Sequence, residues 1–157
     1  MNKSGTKVPK MSEDRAKAIT EEYARRLVEG LGAPKAKSQP SNGTSPCGND
    51  NSTVKNFWAL HVENVVVSPQ AQEAMFAKAR TVIEGMGFKT RKFATNSVGG
   101  EGAGNLEAMN SGDGFTITLQ TTSPSEEIMI MISSPCLERV TEWEGGVSAG
   151  PSAGRPS

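Results

Sequence analysis

Apolar side chains recur at intervals of three and four residues between Ser12 and Gly32: Ala16, Ile19, Tyr23, Leu27 and Leu31. That repeat places one apolar stripe along a helix. Ser12 is placed to cap the free amides, Glu13 and Asp14 suit the positive helix end, and Gly32 with Pro34 supplies the stop. Arg15, Lys17, Glu21, Glu22, Arg25, Arg26 and Glu29 fall largely on the solvated side.

Beyond this helix the pattern breaks. Residues 33–55 hold Pro34, Pro40, Asn42-Gly43, Pro46 and Gly48 to Asn51, and read as one long polar loop. Loops of that length are uncommon unless functional, flexible or pinned. Phe57 to Val67 reads as a strand, with Trp58, Leu60 and Val62 alternating ahead of three valines. Ser68-Pro69 opens a second helix, whose buried face is expected from Ala71, Ala74, Met75, Ala79, Val82, Ile83 and Met86, and Gly87 closes it.

Further strands follow at Phe88–Phe93, Leu106–Met109, Phe115–Thr121 and Ile128–Ile132. The glycine-rich stretch Asn96–Gly104, the Ser111-Gly112-Asp113-Gly114 turn and Ser123-Pro124-Ser125 separate them. Residues 128–132 are apolar on both faces, which suits a central strand or one covered from both sides. The order α-β-α-β-β-β-β predicts an α+β fold: a mainly antiparallel sheet of about five strands with two helices packed on one face. Residues 1–11 and 139–157 are expected to be disordered flanks around a single domain over 12–138.

Composition narrows the function classes. Apolar residues make up 35% of the chain and 17 glycines add to them, an ordinary globular balance that argues against global disorder. Seventeen basic residues cancel 17 acidic ones, which argues against a dedicated nucleic-acid binder. No apolar run approaches the roughly 18 residues of a membrane span. Charge is nevertheless uneven: residues 1–40 carry nine Lys and Arg against five Asp and Glu, and the remainder eight against twelve. An ordinary solvated leader accounts for this; a tether near anionic lipid is the sharper alternative.

Candidate chemistry is sparse. Cys47 and Cys136 each follow a Ser-Pro pair and stand far apart, so neither a CxxC redox motif nor a zinc knuckle is present. Their placement favours one bridge stapling the domain in an oxidising compartment; two thiols in a cytosolic protein are the alternative. A bridge would also pin the 33–55 loop. Gly99 to Gly104 lacks the strand-then-helix setting of a phosphate cradle and reads as a flexible connection. Asn49, Asp50, Asn51 and Asp113 offer oxygens without an EF-hand spacing, and read as turn residues.

His61 shares a strand face with Glu63, Phe57 and Ala59, opposite Trp58, Leu60 and Val62. With no nucleophile motif beside it, it reads as a sheet-surface histidine, and no catalytic or metal-binding residue is assigned. No cofactor is expected. Met129 and Met131 share one face of the last strand, and with Trp58 they form the candidate ligand or partner face.

The chain resembles a family of small secreted proteins and lipoproteins of actinobacteria. The likeness rests on the N-terminal amphipathic helix, the Pro46-Cys47 pair in the following loop and the Trp58 strand leading to a helix. It continues through Gly87-Phe88, the Asp113 to Ile117 strand start and the apolar strand ending in Ser133-Ser134-Pro135-Cys136. It covers roughly residues 12–137. It implies a Cys47–Cys136 bridge and an exported or membrane-anchored origin, and brings no catalytic residues.

Residues 1–11 carry Lys3, Lys7 and Lys10 without the apolar core of a secretory signal, so an exported chain is expected to have lost its targeting segment. The expectation is therefore an extracytoplasmic, monomeric, non-enzymatic binding or accessory domain of the cell envelope. Its partner would be an envelope protein or a small apolar ligand, with peripheral or lipid-anchored membrane association. A cytosolic protein-interaction domain with two free thiols is the alternative.

Overall fold

The first helix obeys its sequence signals closely. In the computed structural model, which describes residues 10–47, 56–94, 104–122 and 126–140, α1 spans Glu13–Leu31. Ser12 Oγ accepts from the Arg15 amide at 3.1 Å, and Gly32 takes the left-handed conformation (φ 71°) that ends the helix. Lys78 Nζ donates to the Leu31 carbonyl at 3.0 Å, so the second helix helps close the first. The buried stripe is Ala16, Thr20, Ala24, Leu27, Val28 and Leu31. Ile19 and Tyr23 lie at its margin.

The remaining elements are β1 (Lys10–Met11), β2 (Ser41–Pro46), β3 (Asn56–Val66), α2 (Gln72–Gly85), β4 (Phe88–Ala94), β5 (Asn105–Asn110), β6 (Thr116–Thr121), β7 (Glu127–Ser133) and β8 (Leu137–Arg139). A short 3-10 turn at Pro69–Ala71 leads into α2. Ser68 makes no side-chain cap there; its carbonyl accepts from Ala71 instead. The buried residues of α2 are Gln72, Phe76, Ala79 and Ile83, so the large apolar anchor is Phe76, a residue outside the stripe expected from sequence.

The fold is α+β with a mixed sheet of eight strands among the described residues, a correction to the expected five antiparallel strands. Strands β4, β5, β6, β7 and β3 pair antiparallel in that order, and β2 runs antiparallel along β3. β8 continues along β3 beyond β7, with one residue of register slip: Leu60 faces Ser133, whereas Phe57 faces Leu137. At the slip Ser134 donates its amide to the Ala59 carbonyl and accepts the Ala59 amide on its Oγ. β1 adds the only parallel pairing among the described strands, on β8.

The three extra strands explain themselves. β2 reads Ser-Asn-Gly-Thr-Ser-Pro and has no apolar alternation, because it covers an edge rather than facing the core. The expected 33–55 loop thus contains a strand. Ahead of it, the Ala36 amide donates to Asn64 and the Val66 amide to Pro34, so this segment lies along β3 as well. β1 and β8 are too short to show a period. They also place residues 10–11 and 139 in the sheet rather than in the expected flanks; residues 1–9 and 141–157 lie outside the described residues.

One core joins both helices to one sheet face. Ile128, Ile130 and Ile132 of β7, Ile117 and Leu119 of β6, and Leu106 and Ala108 of β5 pack with Leu27, Leu31, Phe76 and Ile83. A smaller cluster of Ala16, Phe57, Ala59 and Leu137 seals the β8 end. β7 is a central strand, between β3 and β6.

Candidate functional site

Strand β3 decides what the two sheet faces carry. Phe57, Ala59, His61, Glu63 and Val65 point toward the helices and are buried. Trp58, Leu60 and Val66 stand on the other face at 44%, 38% and 43% exposure. The expected sheet-surface histidine is therefore corrected: His61 is 6% exposed and Glu63 8%. Both faces of β3 carry large apolar side chains, so alternation alone does not choose between them. The choice falls to hydrogen-bond partners that only the helix side supplies.

The open face collects the predicted partner residues. Met131 lies beside Val62 and Met129 beside Asn64 across the β3–β7 ladder, and both methionines are half-buried. Trp58 shares their face through the strand alternation. Its neighbour on β2 is Ser45, while Gly43 stands beside Leu60 and Ser41 beside Val62. A strip of small residues thus leaves the apolar ridge of β3 uncovered on that side. At the far edge β4 carries Lys89, Arg91 and Lys92, all exposed, with Arg91 Nη1 at 3.9 Å from Met109 Sδ.

Behind this face runs a buried polar seam between α1, β2 and β3. The Thr20 hydroxyl donates to the Lys17 carbonyl at 2.7 Å, a back-bond within the helix. Asn42 Nδ2 donates to Thr20 Oγ1 at 3.1 Å and lies 3.1 Å from His61 Nδ1. His61 Nε2 meets Glu63 Oε1 at 2.8 Å. Glu63 Oε2 is buried without a hydrogen bond, and Lys35 Nζ stands 3.9 Å from it. The only residue pair here that sequence spacing exposes is His61 with Glu63, two apart on one strand. Thr20, Asn42 and Lys35 come from separate segments, and no local signal announces them.

A second polar contact lies further along the same interface. Thr44 donates to Glu13 Oε1 at 3.2 Å, while Glu13 Oε2 pairs with Arg139, whose guanidinium lies 5.3 Å from the Phe57 ring centre. Next to it the disulfide joins Cys47 to Cys136, with 6.2 Å between their Cα atoms. Cys47 is buried and its amide donates to Asn56, so the bond fixes the end of β2 against the bulge between β7 and β8.

Asp113 acts as a turn residue: its Oδ1 accepts from the Phe115 amide at 3.0 Å. Asn49 to Asn51 and residues 99–103 lie outside the described residues. Among the described residues no cluster of three or more His, Cys, Asp or Glu side chains is set to hold a metal, and no helix is long and apolar enough to cross a membrane. No protein-family model matches the chain, and neither a curated protein nor a solved structure is significantly similar to it.

Proposed function

We propose that this chain is an exported, non-enzymatic binding or accessory domain of the cell envelope, the folded part of a small secreted protein or lipoprotein. The observation that carries the reading is the Cys47–Cys136 bond, which spans 89 residues and ties the β2 end to the sheet. Disulfides persist in oxidising compartments and are rare in reducing ones. The resemblance read from the sequence, to actinobacterial secreted proteins and lipoproteins, implies the same setting.

The binding surface in this proposal is the open sheet face with Trp58, Met129 and Met131, taking an envelope protein or a small apolar ligand. Exposed Trp and adaptable Met side chains suit an apolar contact that tolerates variation. His61 and Glu63 are engaged with each other and with Asn42 in the interior, which supports a role other than acid–base chemistry on a substrate.

The test is the intact mass and thiol content of unreduced protein from a secreting host. A mass lower by two hydrogens with no titratable thiol is expected. Two free thiols in that material would overturn the exported reading and favour a cytosolic protein-interaction domain. The surface is tested separately, by capture of envelope extract with the native chain and with Trp58→Ser; equal capture by both would remove Trp58 from the contact.

A further inference from the structure

The buried seam assigns the protons of its own imidazole. Asn42 Nδ2 has two hydrogens, and it faces two atoms at 3.1 Å, Thr20 Oγ1 and His61 Nδ1. The Thr20 hydrogen is already committed to the Lys17 carbonyl, so Thr20 Oγ1 accepts. With both amide hydrogens directed outward, His61 Nδ1 must accept too. The proton then sits on Nε2 and is donated to Glu63 Oε1 at 2.8 Å. The arrangement fits a neutral imidazole beside a carboxylate.

Rotating the Asn42 amide by half a turn reverses every sense. Its oxygen would then face Thr20 and His61 from the same place. It would accept a hydrogen from the Thr20 hydroxyl, released from Lys17, and one from His61 Nδ1. That second arrangement fits the imidazolium. We propose that Asn42 is a proton-responsive latch: it flips when His61 takes up a second proton, so that β2 stays bound to α1 and β3 in both charge states.

The surroundings of the ring suit such a device. From β3 it faces Glu63, whose other oxygen is near Lys35; α1 reaches it through the Thr20–Asn42 hydrogen bond; β7 pairs apolar Ile132 with it. Further along this interface Glu13 and Arg139 are paired with each other beside Thr44, and on α1 Lys17, whose carbonyl takes the Thr20 hydrogen, is half-buried. An imidazolium therefore finds a carboxylate on one nitrogen and, after the flip, an amide oxygen on the other. No group needs to leave the seam.

The chain has one histidine, so a single set of ring-nitrogen resonances reads the site in the full, oxidised protein. At neutral pH the pattern expected is that of an Nε2–H tautomer. On acidification the Asn42 side-chain amide resonances should move with the same midpoint as the ring. Asn42→Asp, nearly the same shape but accepting only, should hold a proton on Nδ1 at neutral pH, where the wild-type ring carries it on Nε2. Asn42→Leu should uncouple the ring from β2 and lower amide-exchange protection across Ser41–Thr44. An Nδ1–H tautomer of the wild-type ring at neutral pH would overturn the proposal. So would an Asn42 amide that does not move while His61 titrates, in the wild-type chain and without recourse to any variant.

Discussion

The hydroxyl of Tyr23, on α1, donates to the carboxylate of Asp113, 90 residues away in the turn between β5 and β6. The Tyr23 ring meets Phe88 edge-on at 4.9 Å and Phe115 at 5.8 Å between ring centres. Asp113 also holds its own turn, and Asn110 Oδ1 accepts from Gly112 and Asp113 beside it. A local turn and a long-range contact thus share one carboxylate, and α1 is docked on the sheet by both ring packing and a charge-assisted hydrogen bond.

That contact predicts an alkaline titration. Partial burial, reinforced by the Asp113 carboxylate, pushes the Tyr23 phenol up to about 12. The folded chain then holds a proton that the unfolded chain gives up near pH 10. The contribution to stability is therefore complete below about pH 10 and is lost as pH rises toward about 12. Tyr23 is the one tyrosine in the sequence, so tyrosinate absorbance reports it alone. Asp113→Asn should lower the midpoint, and an unchanged midpoint would show that burial acts without the carboxylate.

Reduction should destabilise the domain strongly. Closing a loop with the ends 89 residues apart gives about 4.6 kcal/mol in the chain-entropy model, at the upper end of what disulfides deliver. Cys47→Ser/Cys136→Ser should therefore melt roughly 10 °C or more below the oxidised wild type. Thermal denaturation with and without reductant checks this. Coincident curves would mean that the pairing of β2 with β3 holds without the bond.

The seam around Glu63 predicts strong coupling. His61→Leu removes the donor from Glu63 Oε1 and leaves a buried carboxylate whose nearest cation is Lys35 at 3.9 Å. A loss of about 3 kcal/mol is expected, because a buried charge without hydrogen bonds costs more than the contact it replaces. His61→Leu/Glu63→Leu should regain much of it. Urea unfolding of the two singles and the double gives the cycle, and additive losses would exclude an interaction between the two residues.

The faces of the sheet should respond in opposite ways. Ile130 is fully buried in the core that the helices share with the sheet, so Ile130→Ala should cost about 2–5 kcal/mol. Trp58 is 44% exposed, and Trp58→Ser should change folding stability by no more than about 1 kcal/mol. Chemical denaturation of both variants separates the faces. A large loss at Trp58 would mean that its ring belongs to the folded core rather than to a contact surface.

These faces mark where the sequence was readable. The cap at Ser12, the stop at Gly32 and the Asp113 turn follow from residues adjacent in the chain, and all stand in the structure. The central place of β7 was legible because Ile and Met alternate along it without a polar side. β2 was hidden, since an edge strand of Ser, Asn, Gly and Thr is indistinguishable from a loop until β3 lies beside it. The burial of His61 was hidden for the same kind of reason: Thr20 and Asn42 make it affordable, and both are distant in sequence. Local chemistry sets caps and turns, whereas long-range partners decide which face of an ambivalent strand turns inward.

The last glycine of the Gly99–Gly104 run offers the sharpest packing test. Gly104 precedes β5 and exchanges hydrogen bonds with Thr121, its carbonyl accepting at 3.2 Å and its amide donating to Oγ1 at 3.2 Å. A β-carbon built there would fall 2.2 Å from Phe76 Cε2 and 2.7 Å from Thr121 Oγ1. Phe76 is 1% exposed and anchors α2 in the core, so it has little room to withdraw. Gly104→Ala should therefore destabilise the domain by roughly 1–3 kcal/mol through overpacking. Phe76→Leu alone should also destabilise it, but the double variant should lose less than the sum, because the shorter side chain vacates the space the methyl needs. Equilibrium unfolding of the three variants decides the matter. Strict additivity would show that the Gly104 requirement comes from its contact with Thr121 Oγ1 rather than with Phe76.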